Sequence, residues 1–329
     1  MDSREEIHFD RVRDVFFHFF NREPDSITKI RNGHINDSYI AESEGRYVCQ
    51  RLKGELYNNR LNELLTNYLA YLSAYDKVGD EVVDWKVPVW VTDSEGEYFF
   101  SDSENGIWRL YHYIDGYTLI NAGNTRDIYE LGKGLSKMHH ILSSVDKIIM
   151  PETSDIYNLK YHYDRYCELK SVVRDKDDIC DICDMLIRET ASRYLSIAIP
   201  TEETIHGDAK LQNAVFSDGR VISFIDLDTI MYGNRQLEIA DSLRSCCIRD
   251  GRIDPEYMDA FIQGYEDTDF FRINANDKEM ISLLVYRVCF ELGIRYYNDI
   301  LSGAGYFGEE YPGQKKEKAQ KLLRLSCTG

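Results

Sequence analysis

Across the first hundred residues, apolar and polar positions mostly alternate. SYIAESEGRYVCQRLK (38–53) is two short alternating runs joined by a Glu-Gly turn, the pattern of a β-hairpin. LNELLTNYLAYLSAY (61–75) instead spaces Leu and Tyr three and four apart, which predicts a helix. VPVWVTDSEGEYFFS (87–101) and GIWRLYHYI (106–114) return to strand-like patterns with polar turns between them. After Gly116 the texture changes. RDIYELGKGLSKMHHIL, YHYDRYCELKSVV and KEMISLLVYRVCFELGIRYYNDIL have helical spacing, interrupted by TIHGDAKLQNAVFSDGRVISFIDLD (204–228), where ionisable groups flank short apolar runs. The pattern predicts an α+β chain: a small β-rich lobe, one connecting strand, and a larger, mainly helical lobe.

Composition narrows what such a chain does. Its 329 residues can hold one large domain or two lobes, and 43% hydrophobic composition is enough for ordinary cores. The formal charge of −18 argues against a nucleic-acid or anionic-membrane surface, which needs positive charge to displace counterions. Eight Cys in a chain this long make no disulfide scaffold, and MDSREEIHFD lacks the basic flank and apolar core of a signal peptide. No apolar run approaches the roughly 20 residues that span a bilayer. A reduced, cytoplasmic protein is expected, and nothing in the sequence specifies its oligomeric state.

The ionisable stretch carries the chemistry. Asp208 lies two residues before Lys210 and five before Asn213, and Asp226 and Asp228 follow the apolar run RVISFI. A helix would scatter these groups, whereas a loop followed by a hairpin returns Asp226 beside Asn213. Phosphoryl transfer from a nucleotide needs one carboxylate to hold the acceptor hydroxyl and take its proton, a cation for the phosphoryl group, and oxygen ligands for Mg²⁺. Asp208, Lys210, Asn213 and Asp226 supply these in the order that protein kinases use, with His206 placed to orient the loop by a hydrogen bond.

HGDAKLQN followed by IDLD resembles the aminoglycoside phosphotransferase and choline kinase group. GHINDSY (33–39) with CQR (49–51), IDLDTIMYG (225–233), ELGIRYYNDIL (291–301) and WRLYHYIDG (108–116) resemble, within it, the bacterial N-acetylhexosamine 1-kinases. The resemblance implies a bilobal, protein-kinase-like fold, with a nucleotide-binding lobe at 1–108, a hinge at 109–116 and a catalytic, substrate-binding lobe at 117–329. It implies Mg²⁺, ATP as co-substrate and a small sugar as acceptor, with Asn213, Asp226 and Asp228 at the metal. The turn around Gly33, Asn36 and Asp37 would cover the phosphates, although a plain β-turn fits the same residues. Tyr113 and Ile114 would meet the adenine edge through their main chain. His34, Asp208, Asp228, Arg295 and Tyr306 would touch the sugar, while Asp241 and Arg244, three apart on a helix, would brace the catalytic loop.

One position departs from the kinase pattern: where a strand lysine is expected, the sequence reads Gln50. Either Gln50 makes a neutral hydrogen bond to the phosphates or a bulge brings Arg51 in, and the partner carboxylate would be Glu63. Other motifs carry less. GAGYFG (303–308) has dinucleotide-type glycine spacing without the strand, turn and helix it requires. CDIC (180–183) has no second Cys or His pair, and His139 sits on an apolar-periodic helix. The competing activities are an aminoglycoside, choline or other aminoalcohol kinase, whose cationic substrates suit the acidic composition, and a silent binding protein that keeps the fold.

Overall fold

The computed structural model describes residues 3–30, 36–57, 59–104, 106–149, 156–172, 178–200, 203–309 and 311–329. The chain divides into two compact units, residues 1–66 with 86–115 and residues 67–85 with 116–329. The stretch 67–85 therefore belongs with the second unit and not with the span 1–108.

In the first unit, α1 (Ser3–Phe20) precedes β1 (Ser26–Ile30), β2 (Asp37–Glu42) and β3 (Arg46–Leu52). The short α2 (Gly54–Tyr57) and the start of α3 (Leu61–Val78) come next, then β4 (Phe100–Ser101) and β5 (Ile107–His112). The strands form one antiparallel sheet in the order β1-β2-β3-β5-β4. The period of two turns Tyr39, Ala41, Tyr47, Cys49, Trp108 and Leu110 to one face. Val12, Val15, Phe16 and Phe19 of α1, at helical spacing, close over that face. No helix is predicted there from the sequence, and the alternation predicts strand through 87–101, of which β4 forms at the end and a single bridge, Trp90 to Tyr111, before it. This segment does run beside β5, with Val91 N–H donating to the Leu110 carbonyl and His112 N–H to the Val89 carbonyl, both at 2.9 Å. Pro88, just before Val89, has no N–H to extend the ladder.

In the second unit come the rest of α3, then α4 (Thr125–Ser143), α5 (Leu159–Val172) and α6 (Asp178–Leu195). They are followed by β6 (Glu203–Ile205), β7 (Ala214–Ser217), β8 (Arg220–Phe224), β9 (Met231–Gly233) and α7 (Arg235–Cys246). The small β10 (Ile248–Arg249) and β11 (Arg252–Ile253), and α8 (Pro255–Glu266), α9 (Ala275–Ser302) and α10 (Gln314–Ser326) complete it. The longest helix, α9, begins with an Asn274–Asp277 capping box and ends at left-handed Gly303. Its Phe290, Ile294 and Tyr297 pack with Tyr166, Cys180, Cys183, Ile187, Tyr194 and Leu323. Cys180 and Cys183 are thus core residues one helical turn apart. Two hairpin-like pairs, β6 with β9 and β7 with β8, carry the ionisable stretch. Among the described residues no helix is long and apolar enough to cross a membrane.

Candidate active site

The chain leaves β6 through His206, Gly207 and Asp208. Gly207 has φ +85°, and a β-carbon there would lie 2.2 Å from the Thr229 carbonyl oxygen, so only glycine fits. A short helical turn at Leu211–Asn213 then leads into the β7–β8 hairpin, which brings Ile225 back alongside. Ile225 N–H donates to the Asn213 carbonyl (2.9 Å), and His206 Nε2–H donates to the Ile225 carbonyl (3.0 Å). His206 Nδ1 accepts the Asp208 N–H at 3.2 Å. Burial holds the imidazole below its ordinary pKa, so it is a neutral tautomer used as a strut. His206 thereby ties the loop to the returning strand.

Two groups converge on one oxygen of Asp208. Lys210 Nζ reaches Oδ2 at 2.6 Å and Asn213 Nδ2 reaches it at 2.9 Å, while Nδ2 also bonds the Asp208 carbonyl at 2.8 Å. Oδ1 is thereby the oxygen available to an incoming hydroxyl, and the side chain is a quarter exposed. Burial opposes the charge on Lys210, but Asp208, with Asp226 and Asp241 beyond it, outweighs this and lifts the ammonium above its ordinary pKa. Asp226 takes a left-handed conformation (φ 67°, ψ 53°) at the head of the turn Leu227–Thr229, in which Asp228 is buried.

The brace under this loop was not legible in the sequence. Glu238 on α7 is fully buried, and its carboxylate accepts His206 N–H (3.0 Å), Gly207 N–H (2.5 Å) and His139 Nε2–H (2.8 Å). His139 Nδ1 lies 2.8 Å from the Tyr265 hydroxyl, which makes this histidine a satisfied core residue. Ser245 Oγ accepts the Leu211 N–H at 3.1 Å. Asp241 and Arg244 do pair (2.6 Å), and Asp241 also accepts the Tyr157 hydroxyl at 3.0 Å. Their partners are each other and Tyr157, whereas the loop backbone rests on Glu238 and Ser245.

Of the residues expected at the acceptor, Arg295 lies 5.9 Å from the Phe307 ring, which stacks on Tyr296 with centroids 3.9 Å apart. Tyr306 stands edge-on to the same ring and is 39% exposed. Buried Asp299 holds this loop, accepting Tyr306 N–H (2.7 Å), Phe307 N–H (3.2 Å) and Lys315 Nζ (2.9 Å). Arg295 and Tyr306 are thus brought together on one aromatic cluster, and GAGYFG is the loop that carries it. The Tyr296 hydroxyl, whose pKa burial raises, lies in the field of Arg244, Arg295 and Lys210.

The expected nucleotide-side residues lie in the first unit. Gly33 and His34 fall outside the described residues. Asn36 Oδ1 accepts the Lys53 N–H at 3.1 Å, and Asp37 pairs with Lys29 at 3.2 Å. Strand registers around Gln50 run without a shift, so no bulge forms and Arg51 stays on the α1 face, opposite Trp108. Glu63 is engaged by Arg60 at 2.6 Å. Tyr113 N–H donates to the Arg46 carbonyl (2.9 Å), so that amide is committed to the sheet and not available to a base.

A carboxylate with one open oxygen, a cation and an amide fixed against it, and a later acidic turn returned by a hairpin, in a chain that also folds a five-stranded antiparallel unit, define a kinase-like phosphotransferase. The family model described as the phosphotransferase enzyme family matches residues 26–273, and the chain belongs to that family. It is a small-molecule phosphotransferase acting on hydroxyl groups. Three solved structures share its fold. An amicoumacin kinase in complex with AMP-PNP, Ca²⁺ and Ami superposes with TM-score 0.65 at 13% identity, covering 100% of this chain and 96% of its own. A microcompartment-associated aminopropanol kinase gives 0.63 at 14%, covering 97% and 95%. A spectinomycin phosphotransferase in complex with ADP and spectinomycin gives 0.61 at 13%, covering 97% of each chain.

Proposed function

We propose that this chain is an ATP-dependent kinase of a neutral sugar, phosphorylating the anomeric hydroxyl of N-acetylglucosamine or N-acetylgalactosamine. The convergence of Lys210 and Asn213 on Asp208 Oδ2 supports the transfer chemistry. Asp208 Oδ1 would orient the acceptor hydroxyl and take its proton late in a largely dissociative transfer, while Lys210 pairs with the other oxygen and fixes the carboxylate's orientation. In this reading the β-rich unit takes the nucleotide and the helical unit the acceptor.

Mg²⁺ suits the donor set. With Nδ2 of Asn213 bound to Asp208, Oδ1 is the amide's ligand atom, and Asp226 and Asp228 add hard carboxylate oxygens. Among the described residues no three His, Cys, Asp or Glu side chains form a ready metal cage. That fits an ion held by one or two protein groups together with nucleotide phosphates. When bound, Mg²⁺ would neutralise charge on the β- and γ-phosphate oxygens.

The pairing of two further carboxylates, outside the transfer residues, supports a neutral acceptor: Asp241 is held by Arg244 and Tyr157, and Asp299 by Lys315 and two backbone amides. An ammonium group would find both already committed. The second reading, a cationic aminoalcohol or aminoglycoside acceptor, draws on the substrates of the aminopropanol and spectinomycin relatives and on the charge of −18. A coupled nucleotide-consumption assay over amino sugars, hexoses, aminoglycosides and choline, with phosphorus NMR of the product, decides between them. Turnover of N-acetylhexosamines with a KM insensitive to moderate salt is expected; turnover confined to cationic acceptors, with a KM rising steeply in salt, overturns the sugar assignment. The eight cysteines, in a chain too long for a disulfide scaffold, suit a reducing, cytoplasmic setting.

A further inference from the structure

In the kinase fold, a lysine on the third strand binds the α- and β-phosphates. Here Gln50 stands on β3, on the face turned away from α1. Ser38 of β2 and Arg109 of β5 sit directly opposite it on either side, so the three side chains form a row across the sheet. Arg109 donates to Gln50 Oε1 through both Nε (2.9 Å) and Nη2 (2.5 Å), and Gln50 Nε2 donates to Ser38 Oγ at 3.2 Å. The guanidinium lies 4.7 Å from the Trp90 ring and is 3% exposed, whereas Gln50 is half-buried.

A glutamine amide can turn either its oxygen or its nitrogen outward. The two bonds from Arg109 fix Oε1 toward β5, so Nε2 points the other way. One of its hydrogens is on Ser38 and the second is directed elsewhere. A cation bound to the oxygen also polarises the amide and strengthens its N–H as a donor. We propose that Arg109 is a positioning residue that makes Gln50 the phosphate donor of this sheet. Charge comes from β5 and the contact from β3, for the α/β-phosphates of a nucleoside triphosphate. This rests on the kinase function proposed above and adds to it the residue that replaces the strand lysine.

The test is calorimetric binding of Mg-ATP without acceptor, with circular dichroism and melting curves for each variant. Arg109→Met should weaken ATP binding about tenfold or more, the worth of one charge-supported hydrogen bond, with acceptor KM changed less than about twofold. Gln50→Glu keeps Arg109 in an ion pair but presents no donor, and should lose at least as much. It decides the matter if Arg109→Met does not fold. In the Arg109→Met background, adding Gln50→Lys restores a strand lysine without a like-charged neighbour and should recover binding to within about threefold of wild type. ATP affinity unchanged in folded Arg109→Met or Gln50→Glu overturns the assignment, as does a double variant that binds no better than Arg109→Met. Wild type that fails to bind Mg-ATP at all instead removes the proposed function itself.

Discussion

Replacing Glu238 by Gln tests the brace beneath the catalytic loop. Oε2 receives the His206 N–H and His139 Nε2–H, and Oε1 receives the Gly207 N–H at 2.5 Å. Glutamine keeps one oxygen. Placed at the Oε2 position, it sets its NH₂ against the Gly207 N–H, so one bond to a charged acceptor becomes a donor facing a donor. A bond to a charged partner contributes about 1.5–3 kcal/mol, and a buried donor left without an acceptor adds to the loss, giving about 3 kcal/mol in all. For a domain of this size each kcal/mol shifts Tm by about 2–4 °C, so the expected fall is on the order of 10 °C. Since Gly207 must shift to relieve the conflict, Asp208 moves with it and kcat falls as well. Thermal melting and urea unfolding of Glu238→Gln, with steady-state kinetics on the folded variant, measure both effects. Unchanged Tm and unchanged kcat would refute the brace. A double-mutant cycle with His139→Phe should show coupling between the two positions, because both share Oε2.

The other expectations concern the transfer groups and the thiols. Asp208→Asn should lower kcat by about 10²–10⁴ with acceptor KM little changed; a raised KM with kcat intact would make Asp208 a binding residue. Asp226→Ala should abolish turnover with Tm lowered only a few degrees, and near-normal activity at physiological Mg²⁺ would remove it from the metal site. Iodoacetamide at pH 8 should label exposed Cys167 and Cys327 and spare Cys49 and Cys289, whose buried thiols are pushed up to about 12. At that pH the protected thiols are about one part in 10⁴ thiolate, so mass spectrometry finding either one labelled in native protein would contradict their packing.

What the sequence made legible was local. The hairpin at 38–53 and the helices starting at Leu61 and Ala275 announce themselves by period, and Asp208, Lys210 and Asn213 fall within six residues of one another. What escaped depends on distant contacts. Glu238 sits three positions before Asp241 on α7 and is indistinguishable from it in pattern, yet only Glu238 meets the loop, thirty residues upstream. Arg109 reads as one more residue of a strand until the register sets it opposite Gln50. The period of α1 was legible in principle, with Val12, Val15, Phe16 and Phe19 at helical spacing around exposed Arg13 and Asp14, and the strand-rich segments that follow draw attention away from it.

If Asp226 holds the metal as proposed, its left-handed backbone sets stability and activity against each other. A non-glycine residue at φ 67° costs on the order of 1 kcal/mol, which a glycine there would recover. Asp226→Gly should therefore melt higher while transferring no phosphate. A library of this chain selected for heat tolerance alone would enrich that dead variant, so any directed evolution toward thermostability needs a turnover screen at every round.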